Sequence, residues 1–305
     1  PSARLDFRLS DSYSLSAMAS GTFTKGDFKC PDGSPRANND LAQARAGLDL
    51  WGLLSEGDIH LKAYYNDASR GTPGALTWPS DDRQHDRNVF LQGLLRKRFS
   101  PLYSLKVSAK GAYDDIFYTS SWGDSNYGQT EFQLNTAHDF QLKEWWKLTF
   151  AADAMFDGLK SDIYEASRIT AISAVASSFR TDRLMANVAL EYEGAFDMDG
   201  LSRNAFSPSA DLRFTAFKGL DIVAFGRRAY RIPTFNELYY VGYGNPELRA
   251  EDAWLTDIGI DFHRTCPSGW AFVPKADAFL NLLKNKITSA PTKEDPAIWA
   301  PYNIG

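Results

Sequence analysis

Three regularities predict an all-β, antiparallel up-and-down fold whose strands are long enough to cross a membrane. They are a period of two in hydropathy, strand segments of about 10–13 residues, and connectors that alternate between short and long. The 305-residue chain is 44% hydrophobic and 14% aromatic, which excludes a disordered polymer. Its longest stretch without a charged residue, Ser12 to Thr24, has 13 residues and is rich in Ser, Thr and Gly. A spanning helix needs about 20 mostly apolar residues, so a helical membrane protein is excluded as well. Net charge is -5, with Lys and Arg scattered, which gives no nucleic-acid groove. The chain begins with Pro1 and shows no basic-then-apolar leader.

Alternation marks the strands in order. Leu5, Phe7 and Leu9 read as the tail of a first strand, and 13–24 and 41–51 follow. In 58–66, Ile59, Leu61, Ala63 and Tyr65 alternate with Asp58, His60, Lys62, Tyr64 and Asn66. After 87–98, the segment Tyr103 to Tyr113 sets Leu105, Val107 and Ala109 against Lys106, Ser108 and Lys110. After 129–139, the segment 145–157 sets Leu148, Phe150, Ala152 and Ala154 against Lys147, Thr149 and Asp153. Then come 166–180, 184–194 and 206–216, in which Ala210, Leu212 and Phe214 alternate with Ser209, Asp211 and Arg213. The stretch 221–231 is ambiguous. In 254–263, Trp254, Thr256, Ile258, Ile260 and Phe262 alternate with Asp257, Gly259 and Asp261, and 270–283 closes the series. A hairpin with its long loop takes roughly 40–45 residues, so the chain holds about 14–15 strands.

Length and connectors favour a membrane barrel over a soluble sheet. Strands of soluble proteins cluster near 5–6 residues, whereas these span roughly 35 Å and, tilted by about 45°, cross a hydrocarbon core of about 30 Å. Short connectors are expected near 10–12, 52–57, 99–102, 140–144, 180–183, 217–220 and 265–269. Long ones are expected near 25–40, 67–86, 114–128, 158–165, 195–205, 232–250 and 284–302. In a meander this places all short turns at the periplasmic end and all long loops outside. Aromatics such as Tyr103, Tyr113, Trp146, Phe156, Trp254 and Phe262 end the apolar face, as interfacial girdles do. Charges in mid-strand would cost several kcal/mol each in a dry sandwich core, but not in a wet or filled bore.

The loop after residue 231 carries the strongest motif. Pro233 and Pro246 stiffen it, Gly242 and Gly244 permit turns, and Phe235, Tyr239, Tyr240 and Tyr243 are too many aromatics for a merely solvated loop. It resembles the TonB-dependent outer-membrane receptors, whose barrels carry R-x-P-T-x-x-E-L-Y followed by G-N-P-x-L-x-x-E and then a strand. Arg231, Pro233, Thr234, Glu237, Leu238, Tyr239, Gly244, Asn245, Pro246, Leu248 and Glu251 match, and Ala250 stands where the family usually has Pro. The stretch Arg70 to Gly74, R-G-T-P-G, also resembles the family.

The resemblance implies a barrel of about 22 strands around an N-terminal plug. Residues 1–305 are then expected to be a single β-barrel domain fragment, with the plug and the C-terminal strands outside it. It also implies an outer-membrane location, active import of a scarce nutrient chelate, and energy from a TonB-type partner acting through the plug. Cobalamin is the favoured cargo, on the motif loop alone, with ferric siderophore or haem as the other candidates. A surface lipoprotein partner remains open. No cofactor is implied, and no phosphate loop, nucleophile elbow, zinc signature or distinguished carboxylate pair suggests an enzyme.

Candidate ligand contacts in the extracellular loops are Trp78, Tyr118, Trp122, Tyr127, Phe235, Tyr239, Tyr240, Tyr243 and Asn245; loop-on-loop packing is the competing reading of the first four. Asp81, Asp82, His85 and Asp86 crowd one loop, where Asp81, Asp82 and Asp86 are weak Ca²⁺ candidates and a solvated acidic loop is the plainer reading. His60, His138 and His263 fall on strands and do not supply an obvious haem-binding pair with His85. The barrel reading places Cys30 outside and Cys266 at a periplasmic turn, too far apart for a disulfide. Two rival functions are a passive porin or structural outer-membrane barrel, which needs no motif loop, and a soluble carbohydrate-binding or enzymatic β-protein, which would stay in solution without detergent.

Overall fold

The computed structural model describes residues 1–293 and 295–305. They form eighteen strands and one short helix, α1. Fourteen strands, β1 to β13 followed by β16, are hydrogen-bonded in sequence order, so each strand pairs with its neighbour in the meander. Two ribbons stand apart from that order: β14 (Arg264–Thr265) with β15 (Ala271–Phe272), and β17 (Lys286–Pro291) with β18 (Trp299–Ile304). The chain divides into two compact units, 1–98 with 106–135 and 155–168, and 99–105 with 136–154 and 169–305.

In the first unit the pairing of β3 (Leu41–Leu54), β4 (Gly57–Ala75) and β5 (Trp78–Arg98) sorts side chains by face. One row joins Leu48, Ala63 and Leu91, and the next joins Ala46, Tyr65 and Val89. These large apolar side chains are exposed, Leu91 by 65%. The intervening rows carry Asp49, Lys62 and Gln92, then Arg45, Asn66 and Asn88. Lys62 of β4 and Lys110 of β6 (Tyr103–Ser120) both lie 5.9 Å from the Phe90 ring, so these cations share the polar face. An apolar face left open to its surroundings opposite a charged one is the arrangement lipid requires on one side only.

The second unit repeats the sorting. Across β10 (Leu184–Asp197), β11 (Ser202–Phe217), β12 (Leu220–Arg231), β13 (Glu251–Phe262) and β16 (Lys275–Lys284), one row runs Ala186, Leu212, Ala224, Ile258, Ala278. The adjacent row carries Asn187, Asp211 and Asp257 together with two aromatics, Phe225 and Phe279, so the charges gather on one face but do not have it to themselves. The stretch 221–231, ambiguous by pattern, is therefore a full strand. Among the described residues the largest fully buried side chains are Leu238, Pro233 and Pro301, all beside the motif loop.

Several expected long connectors are instead strand. β4 and β5 stay paired to Ala75 opposite Trp78, which leaves a two-residue turn where a long loop over 67–86 is expected. β6 runs to Ser120 and β7 (Gly123–Lys143) starts three residues later, so 114–128 is a hairpin tip. β8 (Trp146–Ser161) with β9 (Glu165–Arg180), and β10 with β11, likewise shorten 158–165 and 195–205. Main-chain ladders need no apolar side chains. Where both faces of a hairpin meet water, the hydropathy alternation fades while the hydrogen bonds continue. The expected loop 284–302 holds β17 and β18, and the expected turn 265–269 is the end of the β14–β15 ribbon. Cys30 is buried, Cys266 is exposed, and both are free thiols.

Candidate functional site

The motif loop folds around one arginine. β12 ends at Arg231, and α1 (Phe235–Tyr239) starts at an N-cap, Thr234. The Thr234 hydroxyl accepts from the Glu237 N–H (3.2 Å), and the Glu237 carboxylate accepts from the Thr234 N–H (2.8 Å). This reciprocal pair satisfies two donors that a helix start leaves open. The Arg231 guanidinium donates to both Glu237 oxygens (3.0 and 3.2 Å) and to Glu251 of β13 (2.7 Å). The second Glu251 oxygen accepts from the Ile287 N–H of β17 (2.7 Å). One cation thus ties the strand end, the helix and the outlying ribbon together.

Electrostatics follow from these contacts. Burial pushes the Glu237 carboxyl up, but Arg231 and the Thr234 N–H outweigh it and hold it below the ordinary glutamate value. The Arg231 hydrogen bond does the same for Glu251. Both stay ionised, and Arg231 binds its proton more tightly than a free arginine does.

The rest of the loop is clasped as firmly. Asn245 donates to the Pro301 carbonyl (3.1 Å) and accepts from the Glu247 N–H (3.0 Å). Asn303 accepts from the Arg249 N–H (2.8 Å) and donates to the Arg249 carbonyl (3.0 Å). The Tyr243 hydroxyl shares a short hydrogen bond with Ser289. The Tyr239 hydroxyl donates to Asp197 (3.0 Å) and Asp199 (2.7 Å), and Arg203 donates to the same Asp197 oxygen (2.9 Å). Burial, then the two carboxylates, raise the Tyr239 pKa, so its proton stays in place. The Phe235 ring lies tilted against Tyr239 and Tyr240 meets Tyr243 edge-on, at 6.3 and 6.5 Å. Of the motif-loop candidates, Tyr239, Tyr243 and Asn245 therefore spend their polar ends on the chain itself.

The other candidates lie on hairpins rather than in loops. Trp78 begins β5, Tyr118 is on β6, Tyr127 is on β7, and Trp122 is in the β6–β7 turn. The Tyr118 hydroxyl donates to Asp82 (2.6 Å), which with Ser80 holds Asp82 below the usual carboxylate range. Asn38 donates to the Ser80 and Asp82 carbonyls (2.9 and 2.8 Å). Asp86 pairs with Arg70 at 3.1 Å. Asp81, Asp82 and Asp86 are not drawn together: among the described residues no group of three or more His, Cys, Asp or Glu could hold a metal ion. Trp78 is 76% exposed and Trp122 90% exposed, so their rings are open. His60 pairs with Asp49, His85 of β5 pairs with Asp67, and His138 meets the Tyr103 hydroxyl.

The sequence pattern does not mark Asp197, Asp199, Arg203, Asn38 or the β17–β18 ribbon as parts of the site. The contacts span about 40 residues of chain and leave no local trace. The helix did have a signal, since Thr234 and Glu237 at a spacing of three form a capping box.

An antiparallel meander of fourteen strands with an exposed apolar face has the architecture of a β-barrel wall. Residues 4–305 match the family described as TonB dependent receptor-like, beta-barrel, and the chain belongs to it. No curated protein matches the chain. Among solved structures it is similar to the FrpB iron transporter from Neisseria meningitidis (F5-1 variant), at 12% identity and TM-score 0.78 over 100% of this chain and 56% of that one. It is similar to the siderophore receptor PirA from Pseudomonas aeruginosa, at 16% identity and TM-score 0.76 over 99% and 56%. It is also similar to a double mutant of the Serratia marcescens hemophore receptor HasR, solved with its hemophore HasA and heme, at 12% identity and TM-score 0.74 over 99% and 56%. The chain thus spans just over half the length of these structures.

Proposed function

We propose that this chain is barrel wall of a receptor that spans the outer membrane many times and imports a scarce metal chelate, with energy from a TonB-type partner acting through a plug outside residues 1–305. The observation that carries the reading is the family match over residues 4–305. The open apolar face supports the membrane placement. The names of the similar structures, an iron transporter, a siderophore receptor and a hemophore receptor, favour an iron chelate as cargo. Cobalamin is the narrower alternative, resting on the motif loop.

Ligand contact is assigned to the exposed aromatic rings of Trp78 and Trp122 at the hairpin tips, and to the rings of Tyr118, Tyr127, Phe235 and Tyr240. A planar or ring-bearing chelate stacks on such rings. The test is uptake by cells whose only route for ferric siderophore, haem or cobalamin is the intact receptor. Entry of an iron chelate that stops when the TonB-type partner is deleted supports the proposal. Entry that survives that deletion turns the assignment to a passive porin, and entry of none overturns the cargo class.

A further inference from the structure

Three Asp–Gly steps occur in the chain, at 32–33, 157–158 and 199–200. Such a step carries a reactivity of its own. Glycine has no Cβ to shield its amide nitrogen, so that nitrogen can attack the Cγ of the preceding aspartate. A C–N bond forms, a carboxyl oxygen leaves as water and the amide proton is lost, which closes a succinimide ring. Water then opens the ring at either carbonyl. One opening restores aspartate, and the other gives isoaspartate, whose side-chain methylene has entered the main chain. Nothing is oxidised or reduced, and water is the only co-reactant.

Two of these steps sit in turns of the same build. In 30–33 the Gly33 N–H donates to the Cys30 carbonyl (2.9 Å), Gly33 stands at φ +83°, and the Ser34 N–H donates to Asp32 Oδ1 (2.9 Å). In 197–200 the Gly200 N–H donates to the Asp197 carbonyl (3.0 Å), Gly200 stands at φ +91°, and the Leu201 N–H donates to Asp199 Oδ1 (3.0 Å). Asp32, Gly33, Asp199 and Gly200 are all exposed, and the space where a Cβ would stand is open at both glycines. Asp157 and Gly158 lie instead inside β8, where pairing within the sheet fixes the backbone.

The two turns differ in one contact. The second Asp199 oxygen accepts from the Tyr239 hydroxyl (2.7 Å). That hydroxyl is itself anchored, 3.0 Å from Asp197, whose side chain is 2% exposed and paired with Arg203 at 2.9 Å. Among the described residues the Asp32 carboxylate bonds only to Ser34, through its N–H and its hydroxyl (2.6 Å). To react, the carboxyl must release its partners and turn Cγ onto the glycine nitrogen. Asp32 has only local bonds to release, whereas Asp199 must also part from a residue of α1.

We propose that Asp32 is a site of spontaneous isoaspartate formation, and that Tyr239 guards Asp199, in the same step and the same kind of turn, against it. The motif loop thereby preserves the turn to which it is fastened. Isoaspartate at 199 lengthens the backbone beneath Tyr239 and undoes that fastening, whereas isoaspartate at 32 alters only the 25–40 loop. One charge-assisted hydrogen bond corresponds to about a tenfold difference in rate.

The test incubates the purified full-length receptor in warm neutral buffer, digests it, and measures isoaspartate at each step by peptide chromatography with fragmentation mass spectrometry. Isoaspartate is expected to build up at Asp32 about tenfold faster than at Asp199. In Tyr239→Phe the Asp199 rate should rise about tenfold while the Asp32 rate is unchanged. In receptor unfolded by guanidinium the two rates should converge, a comparison that needs no variant to fold. Absence of isoaspartate at Asp32 overturns the site. Equal rates in the folded receptor, an unchanged Asp199 rate in Tyr239→Phe, or a gap that persists after unfolding overturns the guard.

Discussion

Removing Arg231 should unfasten the motif loop without unfolding the sheet. The side chain makes three charge-assisted hydrogen bonds, to Glu237 and Glu251. It is 42% exposed, so each bond falls near the value for solvent-screened pairs, about 0.7 kcal/mol, rather than the larger value for buried ones. The total for Arg231→Ala is about 2 kcal/mol of local stability. That is about a 30-fold rise in the opening constant. Amide hydrogen exchange reads it directly, because the Thr234 and Ile287 N–H groups bond to the carboxylates Arg231 positions. Exchange at those amides should quicken about 30-fold, while the β10–β11 ladder around Val188 and Ala210 keeps its rate. Arg231→Lys should recover only part, since one ammonium lacks the fork that reaches both carboxylates. Glu237 and Glu251 have depressed pKa values, so their contribution is fully present above 4.5 and is lost as pH falls through the lower folded values. An increase below about threefold at Thr234 and Ile287, or an equal increase in β10–β11, would refute the clasp.

Other consequences follow from single contacts. Tyr239→Phe removes the hydroxyl shared by Asp197 and Asp199, and should cost about 1.5 kcal/mol locally, read as faster exchange across the 198–201 turn. Because the Tyr239 pKa is raised, this contribution is present below 10 and should persist into alkali until pH passes the higher folded value. Gly26→Ala places a methyl group 1.8 Å from the Asn39 carbonyl oxygen at φ +60°, and should cost at least about 2 kcal/mol, seen as protease cleavage within 25–40. On the proposed ligand reading, Trp122→Ala should weaken chelate binding to the intact receptor about threefold to tenfold, with normal amounts of folded receptor at the cell surface. Unchanged affinity would remove Trp122 from the ligand site.

The strand wall was legible because its physics is local. In 58–66 every second side chain shares a face, so the hydropathy pattern and the pairing of β4 with β3 and β5 coincide. Strand ends were less legible. Beyond Asn66 the sequence turns polar on both faces, yet the β4–β5 ladder runs on to Ala75. The motif loop stood out by composition, but its wiring depends on partners far away in sequence. Nothing local to Tyr239 announces Asp197, and nothing near Arg249 announces Asn303. The stretch 284–302, expected as a loop, holds the β17–β18 ribbon, in which Pro291 opposes Trp299 and Pro301 opposes Ser289, as proline can in a two-stranded edge.

That wiring separates two roles that aromatic-rich composition had merged. A side chain whose hydroxyl or amide is already bonded within the chain must break that bond to meet a ligand, at roughly 1 kcal/mol or more. Tyr239, Tyr243 and Asn245 are in that position, and Leu238 beneath them is 1% exposed. Their arrangement suits a rigid fitting that fixes where the loop leaves β12 and re-enters β13. Trp78 and Trp122 break no such bond within the ring face and stand open at hairpin tips. On the proposed ligand reading, a loop held by an ion clasp and a set of exposed rings carried on long paired hairpins divide the work between position and contact. This is why the conspicuous motif argues for the family, and the inconspicuous tryptophans argue for the ligand surface.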